Sequence, residues 1–337
     1  MDDVLTRRLL KEAQVSYGCK SEPVLGKTQH IACPYSAVSR IEMVCDGVPK
    51  AVYLKRVRDD GIGKDAARQR VLVEYQILTQ LFAHFQTHQT WGVARPIAVF
   101  PDELAIVTEE VRGIALTDLI GRSAKRHMFG YRQPVLEKYC VLAGTWLREF
   151  QSFTTRRNGE FNIQGLMQYC DQRLDTLIAY RRAGIDDRFK AQFRRYLNKK
   201  HEQSRRKPDI IVGRHNDFSP HNIIVEGDRI SVIDFGFFDH DSYLYDVCKF
   251  WFQLECMKTS PLFRPSTIER LQNSFFVGYG NSIDPRGPAF EMVASRYYLT
   301  RLVTMVKEGT RGGLRGWIDR RSYEWCLQRL IEQCETN

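Results

Sequence analysis

The sequence predicts an α+β chain of two lobes, a small strand-rich one followed by a larger, mainly helical one. Three observations carry this. The length of 337 residues is about two domains' worth at roughly 150 residues each. Up to residue 110 the pattern alternates or breaks at turns, with one long helical stretch. Beyond Gly113 apolar positions recur mostly at helical spacing. The boundary therefore falls at residue 110, with one lobe over 1–110 and the other over 111–337.

Composition narrows the class. Hydrophobic residues make up 43% and charged residues 27%, which argues against disorder. No apolar run approaches the ~18 residues of a membrane span. Met1-Asp2-Asp3 is acidic and lacks the apolar stretch of a secretory leader, so the chain reads as soluble and cytoplasmic. The nine cysteines are odd in number and none has C-x-x-C spacing, which fits buried, reduced thiols rather than a disulfide framework or zinc site.

The elements follow in order. A helix is expected over Val4–Gln14. Arg40–Cys45 alternates, Asp46-Gly47 is a hairpin turn, and Ala51–Lys55 is the returning strand. Val71, Leu72, Tyr75, Leu78 and Leu81 mark a helix over Lys64–Phe85. Strands are expected over Val93–Val99 and Leu104–Thr108, parted by Pro101-Asp102, and Thr117 is a helix N-cap. Helices follow over Gln133–Phe153, Leu166–Arg182, Asp187–Lys200, Pro265–Gly278 and Phe290–Lys307. A single β island interrupts them over Asn222–Phe235, with its turn at Glu226–Arg229.

Charge is uneven. The net charge is +10, and residues 181–207 hold eleven Lys or Arg against three acids, a net of +8. Such a run is ordinarily a solvated helix face, but it also suits nucleic acid, anionic lipid or an acidic substrate.

The stretch richest in chemistry is Arg214–Val225 followed by Val232–Gly236. It contains His215-x-Asp217-x-x-x-x-Asn222 and, twelve residues on, Asp234-Phe235-Gly236. Phosphoryl transfer needs these residue types. A carboxylate such as Asp217 orients an acceptor hydroxyl and takes its proton. Hard oxygen ligands such as Asn222 and Asp234 hold Mg²⁺, and the short hairpin between them returns the two to neighbouring positions.

The paired motifs resemble the kinase catalytic loop and D-F-G. More narrowly, His-Asn-Asp-Phe-Ser-Pro-His-Asn (215–222) resembles the catalytic loop of the aminoglycoside phosphotransferase and choline kinase family, closely over 210–250 and loosely over 36–120. That resemblance implies a bilobal protein-kinase-like fold with ATP, or GTP, and Mg²⁺ between the lobes: a nucleotide-binding lobe over 1–110, and a catalytic and substrate-binding lobe over 111–337. It implies that Lys55 holds the phosphates and is held by Glu74, with Lys50, in the turn, as its rival. Ser36 and Ser39 would cover phosphates, although no G-x-G-x-x-G stands in Pro34–Ser39. Glu109-Glu110-Val111 would offer backbone to adenine. His215 and Asp246 would support the catalytic loop, and Asp239 and Asp241 are extra acids near the metal position. The acceptor would bind in the 155–207 insertion.

The function so implied is an ATP-dependent phosphotransferase acting on a small-molecule hydroxyl: a sugar, glycan intermediate or head-group alcohol. The alternative is a pseudokinase that binds nucleotide or a partner. The +8 segment argues against a polycationic aminoglycoside acceptor and allows peripheral contact with an anionic membrane surface on its inner face. Nucleic acid is not expected, since no recognised module occurs. A protein kinase is disfavoured, because Asp234 and Asp246 are too close for a peptide-binding segment and no Ala-Pro-Glu lies between them. Gly26-Lys27-Thr28 lacks the first glycine of a phosphate loop, His84-x-x-x-His88 lacks the glutamate of a zinc helix, and a metal on His215, Asp217 and His221 is weaker than the kinase reading.

Overall fold

A computed structural model describes residues 3–33, 36–59, 61–124, 133–180, 185–204, 209–281, 283–309 and 312–335. The chain divides into two compact units, Met1–Ala115 with Asn222–Phe238, and Leu116–His221 with Asp239–Asn337.

The first unit begins with helix α1 (Asp3–Tyr17), three residues longer at its C-terminus than its pattern suggests. Strands β1 (Val24–Ala32), β2 (Ser36–Cys45) and β3 (Val48–Val57) follow, then helix α2 (Lys64–Phe85). Strands β4 (Trp91–Val93), β5 (Pro96–Phe100), β6 (Ala105–Glu109) and β7 (Ile114–Ala115) complete the first stretch. The main sheet has the order β1-β2-β3-β6-β5 and is antiparallel throughout. Leu5, Leu9 and Ala13, spaced by four, pack from α1 onto Ile41, Met43, Val52, Leu54 and Val107 of the sheet. Ala67 and Val71 of α2 pack with Val57 and Leu104.

The β2–β3 turn is as expected. Cys45 pairs with Val48, and Asp46 and Gly47 both have positive φ, 47° and 81°, the type I′ geometry that suits strand twist. Lys50 lies within β3 and not in the turn. The expected strand Val93–Val99 is in fact two: β4 joins a second sheet and β5 the first. That second sheet includes the hairpin β10 (Ile223–Glu226) and β11 (Arg229–Val232) in the order β4-β11-β10-β7.

The second unit holds α3 (Leu116–Ser123), α4 (Gln133–Thr154), β8 (Arg157–Gly159), α5 (Ile163–Ala179), α6 (Asp187–Ser204) and β9 (Asp209–Arg214). After β10 and β11 come β12 (Asp239–Ser242), α7 (Leu244–Met257), α8 (Pro265–Tyr279), α9 (Pro288–Glu308) and α10 (Gly313–Glu335). Thr117 falls inside α3 rather than at its N-cap. The expectation of a single β island fails: β8, β9 and β12 form a three-stranded antiparallel sheet of their own. Helices α4 and α8 cross so closely that a Cβ on Gly144 would lie 2.1 Å from the Phe275 carbonyl oxygen, and one on Gly278 would lie 2.0 Å from that of Val141. Around this crossing Trp146, Phe150, Phe218, Phe250 and Phe275 form a buried aromatic core. Among the described residues no helix is long and apolar enough to cross a membrane.

Candidate active site

Strand alternation turns Lys55 away from Val52 and Leu54, which pack on α1, and onto the face of Val57, which packs on α2. There Glu74 lies on the buried stripe of α2, a carboxylate where the helical pattern calls for an apolar residue. Lys55 Nζ lies 2.6 Å from Glu74 Oε1 and 2.8 Å from Asp234 Oδ1. The Glu74 side chain is 3% exposed and that of Asp234 is 44% exposed. Burial alone would lower the Lys55 pKa, but Glu74 and Asp234 outweigh it, and the ammonium titrates above its ordinary value.

The turn after β11 presents Asp234 with φ 68°, a left-handed conformation that aspartate tolerates better than bulkier residues. Ile233 N–H donates to the Asn222 carbonyl at 3.0 Å, which ties the start of the hairpin to its end. Gly236 explains itself sterically. A Cβ there would meet Lys55 Nζ at 3.0 Å and Glu74 Oε2 at 3.2 Å. The Gly236 carbonyl accepts from Arg70 Nε, and the Arg70 guanidinium stacks 3.9 Å from the Phe237 ring centroid.

In the second unit the loop after β9 is held from behind. Asn216 has φ 66°, and the His215 and Asn216 N–H groups both donate to Asp246, at 2.7 and 2.9 Å. Burial raises the Asp246 pKa against the pull of His215 and these amides. The fully buried His215 accepts the Asp217 N–H at Nδ1, 3.3 Å away. Phe218 stacks on Trp146 with centroids 5.5 Å apart and 7° between planes. Asp217 is thus anchored on both sides. Its Oδ1 lies 3.0 Å from Lys249 Nζ, a partner the sequence reading missed. The signal was Asp246-x-x-Lys249, two charges one helical turn apart in the otherwise apolar first part of the helix.

Other candidates sit elsewhere. Ser36 and Ser39 belong to β2 itself, and Ser39 Oγ bonds His30 Nδ1 at 2.9 Å; Pro34 and Tyr35 lie outside the described residues. Glu109 and Val111 line a cavity of about 620 Å³ in the first unit with Lys50, Glu226 and Arg229, and Lys55 is not among its lining residues. Lys50 pairs with Glu109 at 3.4 Å. The N–H groups of Glu109 and Glu110 already bond Arg95 and Ala51 carbonyls, and Arg40 grips the Glu110 carboxylate at 2.5 and 2.9 Å. That grip holds Glu110 below the ordinary carboxylate range. Asp239 and Asp241 are not free loop acids: Asp239 takes both ends of the Arg214 guanidinium at 2.7 and 2.6 Å, and Asp241 stands 3.6 Å from it.

Three of the six described Lys and Arg of the basic segment stand in ion pairs. Lys190 pairs with Asp175, Arg194 with Asp171 and Lys200 with Glu291. Arg181, Arg182, Arg205, Arg206 and Lys207 lie outside the described residues.

Asn222 and Asp234 supply the hard amide and carboxylate oxygens that suit Mg²⁺, and Asp234 remains half-exposed while holding Lys55. Among the described residues no group of three or more His, Cys, Asp or Glu could hold a metal unaided.

A lysine held by a buried helix glutamate and by the aspartate of a D-F-G turn, on a strand-rich unit joined to a helical one, defines the kinase-like phosphotransferase class. A family model described as "Phosphotransferase enzyme family" matches residues 51–281, and the chain belongs to that family. Solved structures agree on the fold. The ADP-bound aminoglycoside phosphotransferase APH(2'')-Ib is 12% identical, with 99% of each chain covered and a TM-score of 0.56. Choline kinase LicA from Streptococcus pneumoniae is 12% identical, covering 97% of this chain and 99% of its own at 0.56. The macrolide 2'-phosphotransferase MphH from Brachybacterium faecium is 15% identical, covering 96% and 98% at 0.51. A search of curated proteins found no match.

Proposed function

We propose that the protein is a small-molecule kinase that moves the γ-phosphate of ATP, or of GTP, to a hydroxyl. The observation that carries this is the Lys55–Glu74–Asp234 cluster, which seats a buried carboxylate with no packing purpose on an apolar helix stripe. Replacing it by apolar residues of similar volume would ordinarily be neutral or stabilising. The first unit is the nucleotide-binding lobe and the second the catalytic and substrate-binding lobe.

Each residue has a task. Lys55 binds phosphate oxygens, and Glu74 keeps its ammonium aimed. Asn222 and Asp234 would hold Mg²⁺, which when bound neutralises charge on the phosphates. Asp217, fixed by His215 and Asp246, accepts the proton of the acceptor hydroxyl at a carboxylate oxygen as the new O–P bond forms and the bond from the γ-phosphorus to its bridging oxygen breaks, releasing ADP (or GDP). Lys249 pairs with Asp217 and helps hold its carboxylate in place. The intact cluster favours catalysis over a binding-only pseudokinase. The test is ADP release from Mg·ATP by the purified chain, with and without a panel of hydroxyl metabolites. Acceptor-dependent ADP release supports the reading, and its absence across the panel together with no Mg·ATP binding overturns it.

A further inference from the structure

Beside the loop that carries Asp217, the second unit buries guanidinium groups whose surroundings differ sharply. Arg214 has both Asp239 and Asp241. Arg296, midway along α9, has neither. Its Cζ stands 3.9 Å from the Tyr169 ring centroid, 4.8 Å from that of Tyr245 and 5.8 Å from that of Tyr297. Its Nε is buried without a hydrogen-bond partner, and the groups acting on its charge are tyrosines and Arg214, with no carboxylate among them. Arg173, on α5, lies 3.4 Å over the same Tyr169 ring, and its hydrogen bonds go to the Tyr169 carbonyl and the Gln172 amide oxygen. Two cations therefore bracket one tyrosine, and among the described residues neither has an ion pair.

Aromatic faces attract a guanidinium without neutralising it, and a buried cation is otherwise found paired. The cluster is short of an anion. Tyr169 reports the same field. Burial alone would raise its phenol pKa, yet Arg296, the Thr300 hydroxyl at 2.9 Å and Arg173 bring it below the ordinary value.

The cluster is contiguous with the reacting carboxylate. Lys249, 3.0 Å from Asp217, stands 5.8 Å from the Tyr297 ring centroid, as does Arg296. We propose that Arg296 and Arg173 form an anion subsite of the acceptor pocket, which binds a carboxylate or phosphate carried by the hydroxyl substrate. This rests on the kinase reading in taking Asp217 as the reacting centre. It also moves the source of anion preference from the half-paired basic face of α6 to two arginines on α5 and α9.

The test is calorimetric binding of four matched hexoses, glucosamine, glucose, glucuronate and glucose 6-phosphate, to protein saturated with ADP, which occupies the nucleotide site. One or both anionic sugars bind about tenfold or more tighter than glucose, the worth of one charged hydrogen-bonded contact. Whichever anion gains more identifies carboxylate or phosphate. R173Q and R296Q each remove the advantage, and R296K keeps part of it; R173Q, on a partly exposed face, serves should R296Q fail to fold. Equal binding of the four sugars, tighter glucosamine, or an anion preference unchanged in both variants overturns the subsite. ADP binding to the wild type is measured alongside. Its loss with anion preference intact overturns the kinase reading alone, and acceptor-dependent ADP release without anion preference overturns the subsite alone.

Discussion

Lys55 is the residue on which the site's electrostatics turn. It satisfies Glu74, whose carboxylate is nearly sealed from water, and it restrains Asp234, which stays half in solvent. Removing it takes away the proposed phosphate donor and leaves a buried carboxylate unpaired. Lys55→Ala is therefore expected to lower kcat/KM by about 10²–10³ and to destabilise the fold by roughly 3 kcal/mol, read by ADP release and urea denaturation in parallel. Lys50→Ala, which removes a partly exposed pair with Glu109 and a cation–π contact with Tyr17, is expected to leave turnover nearly unchanged and to cost about 1 kcal/mol or less in stability. The reverse result would move the phosphate lysine to the other position. This residue scale was the most legible in the sequence, because the chemistry restricts residue types. Lys55 and Glu74 pair in the structure, Asp234 adds a contact to Lys55 that the sequence did not suggest, and Asp246 holds the His215 and Asn216 amides. Lys249, Arg173 and Arg296 were not legible, since their meaning lies in which partners they meet or lack across separate helices.

At the scale of elements, the sequence spoke where burial is one-sided. Helix α2 starts and stops where its spacing of apolar residues says. Strand β1 escaped notice because both its faces are largely exposed, so nothing alternates. Helix α7 escaped for the opposite reason, being buried nearly all round. Strands β8 and β12 are short and polar, and only pairing with β9 makes them strands. Two measurements probe this scale. Gly278→Ala pushes a methyl group into the Val141 carbonyl at the α4–α8 crossing. It is expected to cost about 2 kcal/mol or more in urea denaturation, and an unchanged midpoint would show that the helices part freely. At the start of β9, Asp209 Oδ2 is enclosed without a partner, and burial pushes its carboxyl up to about 6. A raised carboxyl pKa means that the folded state holds the proton more tightly. The stability it contributes is present below the ordinary carboxylate range near ~4 and is lost as pH rises to about 6. Asp209→Asn keeps an oxygen for Ser242 and the Ile210 N–H, so its Tm is expected to exceed the wild-type value above pH 6 and not below pH 4. A constant difference across that range would place the titrating group elsewhere.

At the scale of the molecule, the chain order of the units is not simple. The hairpin 222–238 belongs with residues 1–115 although it lies far along the sequence, and this exchange puts Asn222 and Asp234 in one unit while Asp217 stays in the other. Composition along the chain shows a change of character near residue 110 but not the return of a later segment, because that return is decided by pairing of β10 with β7 and β11 with β4. On the proposed reading, nucleotide and metal contacts fall in one unit and proton acceptance in the other, so a side chain of the second can be changed with the first left intact. The most direct measurement is Asp217→Asn, assayed for acceptor-dependent ADP release and for Mg·ATP binding on the same preparation. The expected result is a loss of turnover of about 10²–10⁴ with Mg·ATP affinity and thermal stability close to wild type. Turnover at the wild-type rate from the variant would contradict the account at its centre.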